Sequence, residues 1–199
     1  MLHPELDGAL DDSFLCARIA EIVRNVGLVN IVETGVNAGK STVEFMKMAS
    51  WVFGVDKDGD CLKCAGDRMR EIGNNYTLWR GNSPNVLGDI VTWIDCSKTL
   101  FFLDAHWEAY WPLLDEIAVI PRGKGVIVIH DALVPGTNLG YDSFGGVACS
   151  YEYVKESLDR WSLEHIVEYN SEDKAEKPNR GVLFAFPDSE TVRRSRVAL

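Results

Sequence analysis

The sequence lacks a surplus of basic residues, and this absence limits the partners that the protein can have. Lysine and arginine together number 20 against 30 aspartates and glutamates, so the 199-residue chain carries a formal charge of −10. A general nucleic-acid binder needs a basic footprint that neutralises phosphates. The composition therefore predicts no nucleic-acid partner, and we interpret the one basic cluster, at residues 193–196, as a solvated tail.

Long apolar runs are also missing. No stretch approaches the ~20 apolar residues that a membrane-spanning helix needs, and the acidic start MLHPELDGALDD has no apolar leader core. The five cysteines are an odd number, and the single C-x-x-C at residues 61–64 has no second zinc-type pair. We therefore expect a cytoplasmic protein with reduced thiols and no membrane partner.

What the sequence does contain is a repeated alternation of apolar strands and amphipathic helices. Five strand–helix units are followed by two strands, EHIVEYN and GVLFAFP, with only a polar segment between them. The alternation predicts a parallel sheet covered on both faces, and the missing crossover helix predicts a closing antiparallel hairpin. We therefore predict a Rossmann-like three-layer α/β/α sandwich whose mostly parallel seven-stranded sheet ends in a C-terminal antiparallel hairpin.

The length fits a single domain. We divide residues 1–199 into an N-terminal cap helix at 1–27, a Rossmann-like core at 28–186 and a tail at 187–199. The apolar spacing predicts one helix over residues 13–26 and another over about 148–161. Ligands of such sheets bind at the carboxyl ends of the strands. We expect the N-terminal helix and the glycine-containing loop at 133–146 to fold over those ends as a lid.

The segment IVETGVNAGKST, residues 31–42, nearly spells the phosphate-binding P-loop G-x-x-x-x-G-K-[ST]. A P-loop needs glycine where Thr34 stands, and Glu33 would place a carboxylate at the mouth of the loop, where it repels a polyphosphate. S-adenosyl-L-methionine has no phosphate and carries a sulfonium and an ammonium group, so an acid there would attract it. Asp56, which closes the second strand, lies where a carboxylate can bind ribose hydroxyls.

Five motifs, taken in order, carry a resemblance to a known family. They are ETGVNAGKST, FGVDKD, RGNSPNVL, FLDAHWEAYWPLLDEI and VIVIHDALVPG. In this order and spacing they resemble the class I S-adenosylmethionine-dependent O-methyltransferases, in particular catechol O-methyltransferase and the macrocin- and cephalosporin-type enzymes. The resemblance implies an enzyme that methylates a hydroxyl of a small metabolite of sugar or natural-product type.

The resemblance also implies a set of cofactor-binding residues. They are Glu33, Gly35, Asn37, Gly39 and Ser41 around the methionine end, Asp56 on the ribose, Asn82 and Ser83 near the adenine, and Asp104 at the end of the fourth strand. Asp104 would be the first metal ligand or an acid that orients the acceptor.

A divalent metal is one hypothesis for the acceptor end of the site. Asp104, His130 and Asp131 are its predicted ligands, with His106 as the alternative to His130. The ion would hold the acceptor hydroxyl and lower its pKa. A histidine ligand favours Mn²⁺ over Mg²⁺. The alternative is that Asp104 orders the loop by hydrogen bonds while His130 packs against its neighbours, and the sequence leaves both open.

The general base departs from the family pattern. Glu108 stands where the catechol enzyme has its lysine, and Ala105 looks like an insertion. His106 is the first candidate for the base, because an ordinary histidine pKa of ~6.5 suits proton abstraction near neutral pH, and His130 is the second. An aromatic wall for the acceptor is predicted from Trp107, Tyr110, Trp111, Tyr141 and Phe144, accompanied by Asp142.

Other functions stay open on the sequence alone. One is a cofactor-binding module of the same fold without catalysis, and another is a nucleotide-binding enzyme that uses a variant P-loop at 35–42. A dinucleotide enzyme would want G-x-G-x-x-G, whereas this loop is G-x-x-x-G. A homodimer is also left open.

Overall fold

The computed structural model describes residues 9–106, 110–165 and 180–187. Helices α1 to α6 span Ser13–Val26, Lys40–Met48, Gly59–Arg70, Ser83–Ile90, Leu113–Val119 and Tyr151–Val154. Strands β1 to β9 span Asn30–Thr34, Trp51–Asp56, Tyr76–Arg80, Thr99–Leu103, Val126–His130, Ser143–Phe144, Val147–Ala148, Trp161–His165 and Val182–Pro187. Short 3-10 turns lie at Ala9–Asp11 and Cys96–Lys98.

Seven strands form one sheet, and their order confirms the predicted fold class. The order is β3-β2-β1-β4-β5-β9-β8. The first five strands in sequence pair in parallel, whereas β9 runs antiparallel to both β5 and β8. The predicted closing pair of antiparallel strands is therefore present. β6 and β7 form a separate two-stranded ribbon within the segment that follows β5.

The sheet is buried on both faces, as the apolar strands require. Consecutive residues of a strand point to opposite faces, so Ile31 and Val32 of β1 belong to two different core clusters. Helices α1, α2 and α3 cover the first face, and α4, α5 and α6 cover the second. This arrangement gives the three layers that the alternation predicts.

Helix α1 begins and ends where the sequence predicts. The Asp12 carboxylate accepts hydrogen bonds from two amides of the first turn, and Gly27 ends the helix in the left-handed conformation at φ 72°. Its apolar stripe, which includes Ile19 and Ile22, is buried against the sheet. The helix is therefore a core layer, and the prediction that it forms a lid over the strand ends is wrong.

The short turn before α1 lies next to the glycine loop. The Leu10 amide donates to the Ser41 hydroxyl at 3.4 Å, and Lys40 pairs with Asp11 at 3.4 Å. These bonds connect the turn to the start of α2.

The chain after β7 differs from its prediction. The helix predicted over 148–161 is limited to Tyr151–Val154, and β8 begins at Trp161, earlier than the strand predicted from Glu164. The Trp161 side chain is buried, and its indole N–H donates to the Gly125 carbonyl at 3.0 Å. This tertiary contact outweighs the helical pattern. The rest of the predicted strand, at 166–170, lies outside the described residues, as do most of the polar segment and the tail.

Packing of α1 can be tested by truncation. Replacing Ile19, which is completely buried, with alanine leaves a cavity and should lower the free energy of unfolding by about 2–5 kcal/mol. Urea denaturation followed by circular dichroism measures the change. Arg24→Ala, at an exposed position of the same helix, should change it by no more than about 0.5 kcal/mol. Equal effects of the two substitutions would contradict a core role.

Candidate active site

The carboxyl ends of four parallel strands meet at one edge of the sheet. Thr34 of β1 lies level with Val55 of β2 on one side and with Leu103 of β4 on the other. This register brings the predicted residues of the first, second and fourth strands to the same edge, and β5 adds His130 beside β4. Sites in such folds form at this edge.

The glycine loop is shaped by close packing within the protein. Gly35, Asn37 and Gly39 all have positive φ, of 79°, 49° and 75°. A Cβ on Gly35 would lie 2.6 Å from the carbonyl oxygen of Asp104, and one on Gly39 would lie 2.7 Å from the Cβ of Ala65. Both glycines are therefore required by neighbouring chain, at the end of β4 and on α3, independently of any ligand.

Three amides of the loop donate to the protein itself. Gly35 N–H donates to the Val55 carbonyl at 2.9 Å, Asn37 N–H to an Asp56 carboxylate oxygen at 2.8 Å, and Gly39 N–H to the Val36 carbonyl at 2.9 Å. A P-loop presents such amides to phosphate oxygens. The geometry therefore disfavours a phosphate cradle at 35–42.

Glu33 does not lie at the mouth of the loop as predicted. It is 2 % exposed, and its carboxylate accepts a hydrogen bond from the Thr42 hydroxyl of α2 at 2.5 Å. Burial raises the pKa of Glu33 well above its ordinary value, and the nearby charges of Asp104 and Asp56 raise it further. Negative charge near the loop opening therefore comes from the half-buried Asp56 and Asp104, and Glu33 ties β1 to α2.

Polar side chains at the end of β2 and on the turn after β3 keep hydrogen-bonding atoms that are free to bind a ligand. The Asp56 carboxylate accepts amides from Asn37 and Asp58, each through a different oxygen, so both oxygens keep lone pairs for a ligand hydroxyl. At the start of α4, Asn82 makes no side-chain cap bond. Among the described residues, the buried Asn82 Oδ1 and Ser83 Oγ have no aligned hydrogen-bond partner, although the Ser83 hydroxyl lies beside the Glu116 carboxyl. Unsatisfied buried polar atoms of this kind mark a place for a ligand or ordered water.

The ends of β4 and β5 are joined by an ion-pair network. His130 Nδ1 lies 3.1 Å from an Asp104 oxygen and 3.2 Å from an Asp131 oxygen. Asp131, which adopts a positive φ of 58°, also pairs with the Arg180 guanidinium, which in turn pairs with Asp142. The network therefore links the two strand ends to the following loop and to the segment that enters β9.

The charges within this network shift the pKa values of His130 and Asp131 in opposite directions. Burial opposes a charge on His130, but Asp104 and Asp131 more than offset it and raise its pKa to about 10. The Asp131 carboxyl is also buried, yet His130 and Arg180 hold its pKa well below the ordinary value. A histidine that keeps its proton at neutral pH cannot accept one. This charge state favours His106 over His130 as the general base, and the role of His130 stays a prediction.

His106 remains available for proton transfer. Its side chain is 61 % exposed, and Nδ1 lies 3.4 Å from an Asp142 oxygen. A carboxylate beside one ring nitrogen orients the imidazole and leaves the other nitrogen for a reacting group. Glu108, at the position of the missing lysine, and Trp107 lie outside the described residues.

The acidic edge offers one group of metal-ligand type among the described residues. Ligand atoms of Asp104, His106 and Asp131 all lie within 4.8 Å of one another. This set contains His106 in place of the predicted His130, which is paired with both carboxylates. Two carboxylates and an imidazole suit a divalent transition ion, although the cations of His130 and Arg180 already balance Asp131. Binding of Mg²⁺ or Mn²⁺ stays a prediction.

The predicted aromatic wall is not assembled as one surface. Trp111 stacks on Tyr153 with ring centroids 4.7 Å apart, and the Tyr110 hydroxyl hydrogen-bonds Asp115. Tyr141 and Phe144 are exposed. Trp111 therefore packs against α6, whereas Tyr141 and Phe144 lie on the surface of the loop.

The sequence did not predict three residues that contact the site: Arg180, Thr42 and Glu116. Arg180 lies far along the chain from the acids that it pairs with, so spacing gave no signal for it. Thr42 reads as an ordinary helix residue. Glu116 did carry a signal, because it shares with Leu113, Ile117 and Ile120 the apolar spacing of a buried helix face.

The fold is shared with known methyltransferases. A structure from Staphylococcus aureus provisionally assigned as a caffeoyl-CoA O-methyltransferase superposes with a TM-score of 0.59 at 14 % identity, over 92 % of this chain and 85 % of the other. The O-methyltransferase TomG of Streptomyces achromogenes, solved with S-adenosylmethionine, gives 0.58 at 13 % identity over 94 % and 93 %. An rRNA methylase of Streptococcus thermophilus gives 0.53 at 10 % identity over 92 % and 98 %.

These likenesses show that the chain shares its Rossmann-like fold with these methyltransferases. No protein-family model and no curated protein sequence matches the chain. Among the described helices, none is long and apolar enough to cross a membrane. Because a fold does not fix its chemistry, function has to be argued from the site.

Arg180 should stabilise the fold more than an exposed arginine does. Arg180→Met leaves the largely buried Asp131 with one cation fewer, and we expect the free energy of unfolding to fall by about 1–2 kcal/mol. Arg122→Met removes an ion pair with Asp159 in which both side chains are well exposed, and should lower the free energy of unfolding by much less. Urea denaturation at pH 7 measures both. A similar loss in the two variants would show that the Arg180 network is energetically a surface pair.

Proposed function

We propose that the protein is an S-adenosylmethionine-dependent methyltransferase that methylates a hydroxyl of a small molecule. The observation that carries this proposal is the edge of the sheet, where Asp56 ends β2 and Asp104 follows β4, while the amides of Gly35, Asn37 and Gly39 are already bonded within the protein. This edge suits a ligand with positive charge and ribose hydroxyls, and it does not suit a phosphate. The shared fold with an S-adenosylmethionine complex supports the same ligand.

The residues present fit this cofactor in three places. Asp56 has lone pairs for ribose hydroxyls, and the unpartnered Asn82 Oδ1 can accept from the amino group of the base. Asp104, next to the loop, supplies negative charge for the methionine end. The cofactor supplies a methyl group on a sulfonium, which is already activated for transfer, so the protein's contribution is chiefly alignment.

The acceptor would bind where β4 and β5 end. His106 is placed to take the proton of the acceptor hydroxyl, and Asp142 orients its ring. The imidazolium of His130 and the guanidinium of Arg180 reduce the negative charge of Asp104 and Asp131, which would otherwise oppose a developing alkoxide. If a divalent ion binds, Asp104, His106 and Asp131 are the residues that would hold it.

A small acceptor is favoured over RNA by charge. The rRNA methylase among the structural neighbours shows that this fold accommodates such enzymes. RNA recognition requires lysines and arginines that neutralise phosphates, whereas this chain carries a charge of −10. Acids also dominate the proposed acceptor end.

Ligand binding gives the direct test. S-adenosylmethionine and S-adenosylhomocysteine should raise the thermal midpoint of the protein, whereas ATP and NAD should leave it unchanged. Differential scanning fluorimetry at matched ligand concentrations measures the shifts. Asp56→Ala should lose the shift by the two adenosyl ligands, and Asp67→Ala, at an exposed site on α3, should keep it.

The outcomes separate the candidate functions. Stabilisation by ATP, and not by the adenosyl ligands, would overturn the proposal in favour of a variant P-loop enzyme. Stabilisation by S-adenosylmethionine without transfer of its labelled methyl group to any acceptor in a panel of small hydroxylated compounds would leave a cofactor-binding module of the same fold.

The role of His106 can be tested once an acceptor is found. His106→Ala should lower turnover by on the order of 10²-fold or more, because the variant has no imidazole to accept the hydroxyl proton. Affinity for S-adenosylmethionine should stay within about twofold, since the side chain is exposed at the acceptor end. Turnover follows from transfer of the labelled methyl group, and an unchanged rate would remove His106 as the base.

A further inference from the structure

Glu116 is a buried acid whose position the proposed mechanism does not explain. It lies on α5 with 0 % exposure, among apolar residues that pack α5 against the sheet. Neither carboxylate oxygen has an aligned hydrogen-bond partner among the described residues. A buried carboxylate without partners is unfavourable, so its retention in the core calls for an explanation.

The surroundings of Glu116 connect it to the cofactor-binding edge. The hydroxyls of Ser83 and Thr34 lie beside its carboxyl. Ser83 opens α4, is 2 % exposed, and its Oγ also has no aligned partner among the described residues. Thr34 ends β1, and its hydroxyl accepts the Asp104 amide at 3.4 Å. The acid therefore lies between the end of β1 and the start of α4.

The charged neighbours favour the neutral acid. Burial raises the pKa of Glu116 to about 7, Ser83 and Thr34 act in the opposite direction, and the charges of Asp104 and Asp115 add to the increase. A neutral carboxyl has one O–H donor and keeps acceptor capacity. It can therefore donate to one hydroxyl and accept from the other, which would satisfy all three groups with small side-chain adjustments.

We propose that Glu116 is a positioning residue of the cofactor site, whose buried carboxyl links Thr34 to Ser83 and so holds the Asn82–Ser83 turn in the geometry that receives the cofactor. This role rests on the proposed function, because it assigns the turn to cofactor binding. It adds to that function a buried group, remote from the reacting atoms, that controls cofactor affinity.

The direction of the pH dependence follows from the pKa. Glu116 ionises at about 7 in the folded protein against an ordinary 4.5, so the folded state binds more protons between these values. The free energy of unfolding therefore falls as pH rises from 4.5 to about 7, and the loss persists above that. Cofactor affinity should fall over the upper part of the same range, because the ionised carboxylate no longer donates to the turn.

The first arm of the test needs no cofactor. Glu116→Gln keeps the shape of the side chain and cannot ionise. Its thermal midpoint should be close to that of the wild type at pH 5 and higher at pH 8.5. Asp89→Asn makes the same exchange at an exposed site on α4 and should follow the wild type at both values. A Glu116→Gln midpoint that is not raised at pH 8.5 would show that Glu116 does not ionise within the core.

The second arm measures binding of S-adenosylhomocysteine by isothermal titration calorimetry between pH 5.5 and 8.5. The affinity of the wild type for S-adenosylhomocysteine should fall several-fold as the pH rises through 7. The affinity of Glu116→Gln should not show this fall. Glu116→Ala and Ser83→Ala should each weaken binding by about tenfold at pH 6, the effect of one lost hydrogen-bond anchor. Asp89→Asn should bind as the wild type does.

The failures of the two proposals are distinguishable. A wild type that binds no adenosyl ligand overturns the proposed function and with it this role, while the first arm still reports whether Glu116 is a buried titrating acid. Binding by the wild type together with the same affinity and pH profile in Glu116→Gln and Glu116→Ala overturns the positioning role alone.

Discussion

Carboxylates crowd the carboxyl edge of this sheet, and each of them has to be balanced or protonated where bulk water is largely excluded. The carboxylate at each strand end is stabilised by a different kind of partner. Glu33 is held by the Thr42 hydroxyl, Asp56 accepts backbone amides, and Asp131 is paired with His130 and Arg180. These bonds also join β1 to α2, the glycine loop to β2, and β5 to the chain before β9. The contacts that stabilise the carboxylates are therefore the same contacts that join the elements of this edge.

The fold could be predicted because it depends on local patterns. Strand–helix alternation, the cap at Asp12 and the left-handed Gly27 are properties of short segments, and α1 has the predicted bounds. The prediction failed where a distant contact decides the structure. The buried Trp161 donates to the distant Gly125 carbonyl and begins β8, a contact that the local helical pattern does not contain. In the same way the sequence placed His130 at the edge, but only the fold shows that Asp131 connects it to the distant Arg180 in one ion-pair network.

Residues 35–42 nearly match the P-loop sequence, but their glycines are required for internal packing. The glycines are present, yet Gly35 is needed because β4 passes close to it and Gly39 because α3 does. The amides of Gly35, Asn37 and Gly39 are directed at Val55, Asp56 and Val36 and are therefore not offered to a ligand. The residue types alone could not distinguish glycine required for internal packing from glycine required for ligand approach. The direction of the amides makes that distinction.

The acceptor end is the part of the edge that the shared fold determines least. Its groups come from the loop after β4, the loop after β5 and the segment before β9, which are connections and not strands. Arg180 ties two of these connections together through Asp131 and Asp142, and His106 reaches the same Asp142 from the third. Because one aspartate orients the proposed base and also anchors the arginine, a change in any of the three connections alters the position of the base. In the proposed mechanism, specificity for the acceptor and proton transfer to the base would be coupled through Asp142.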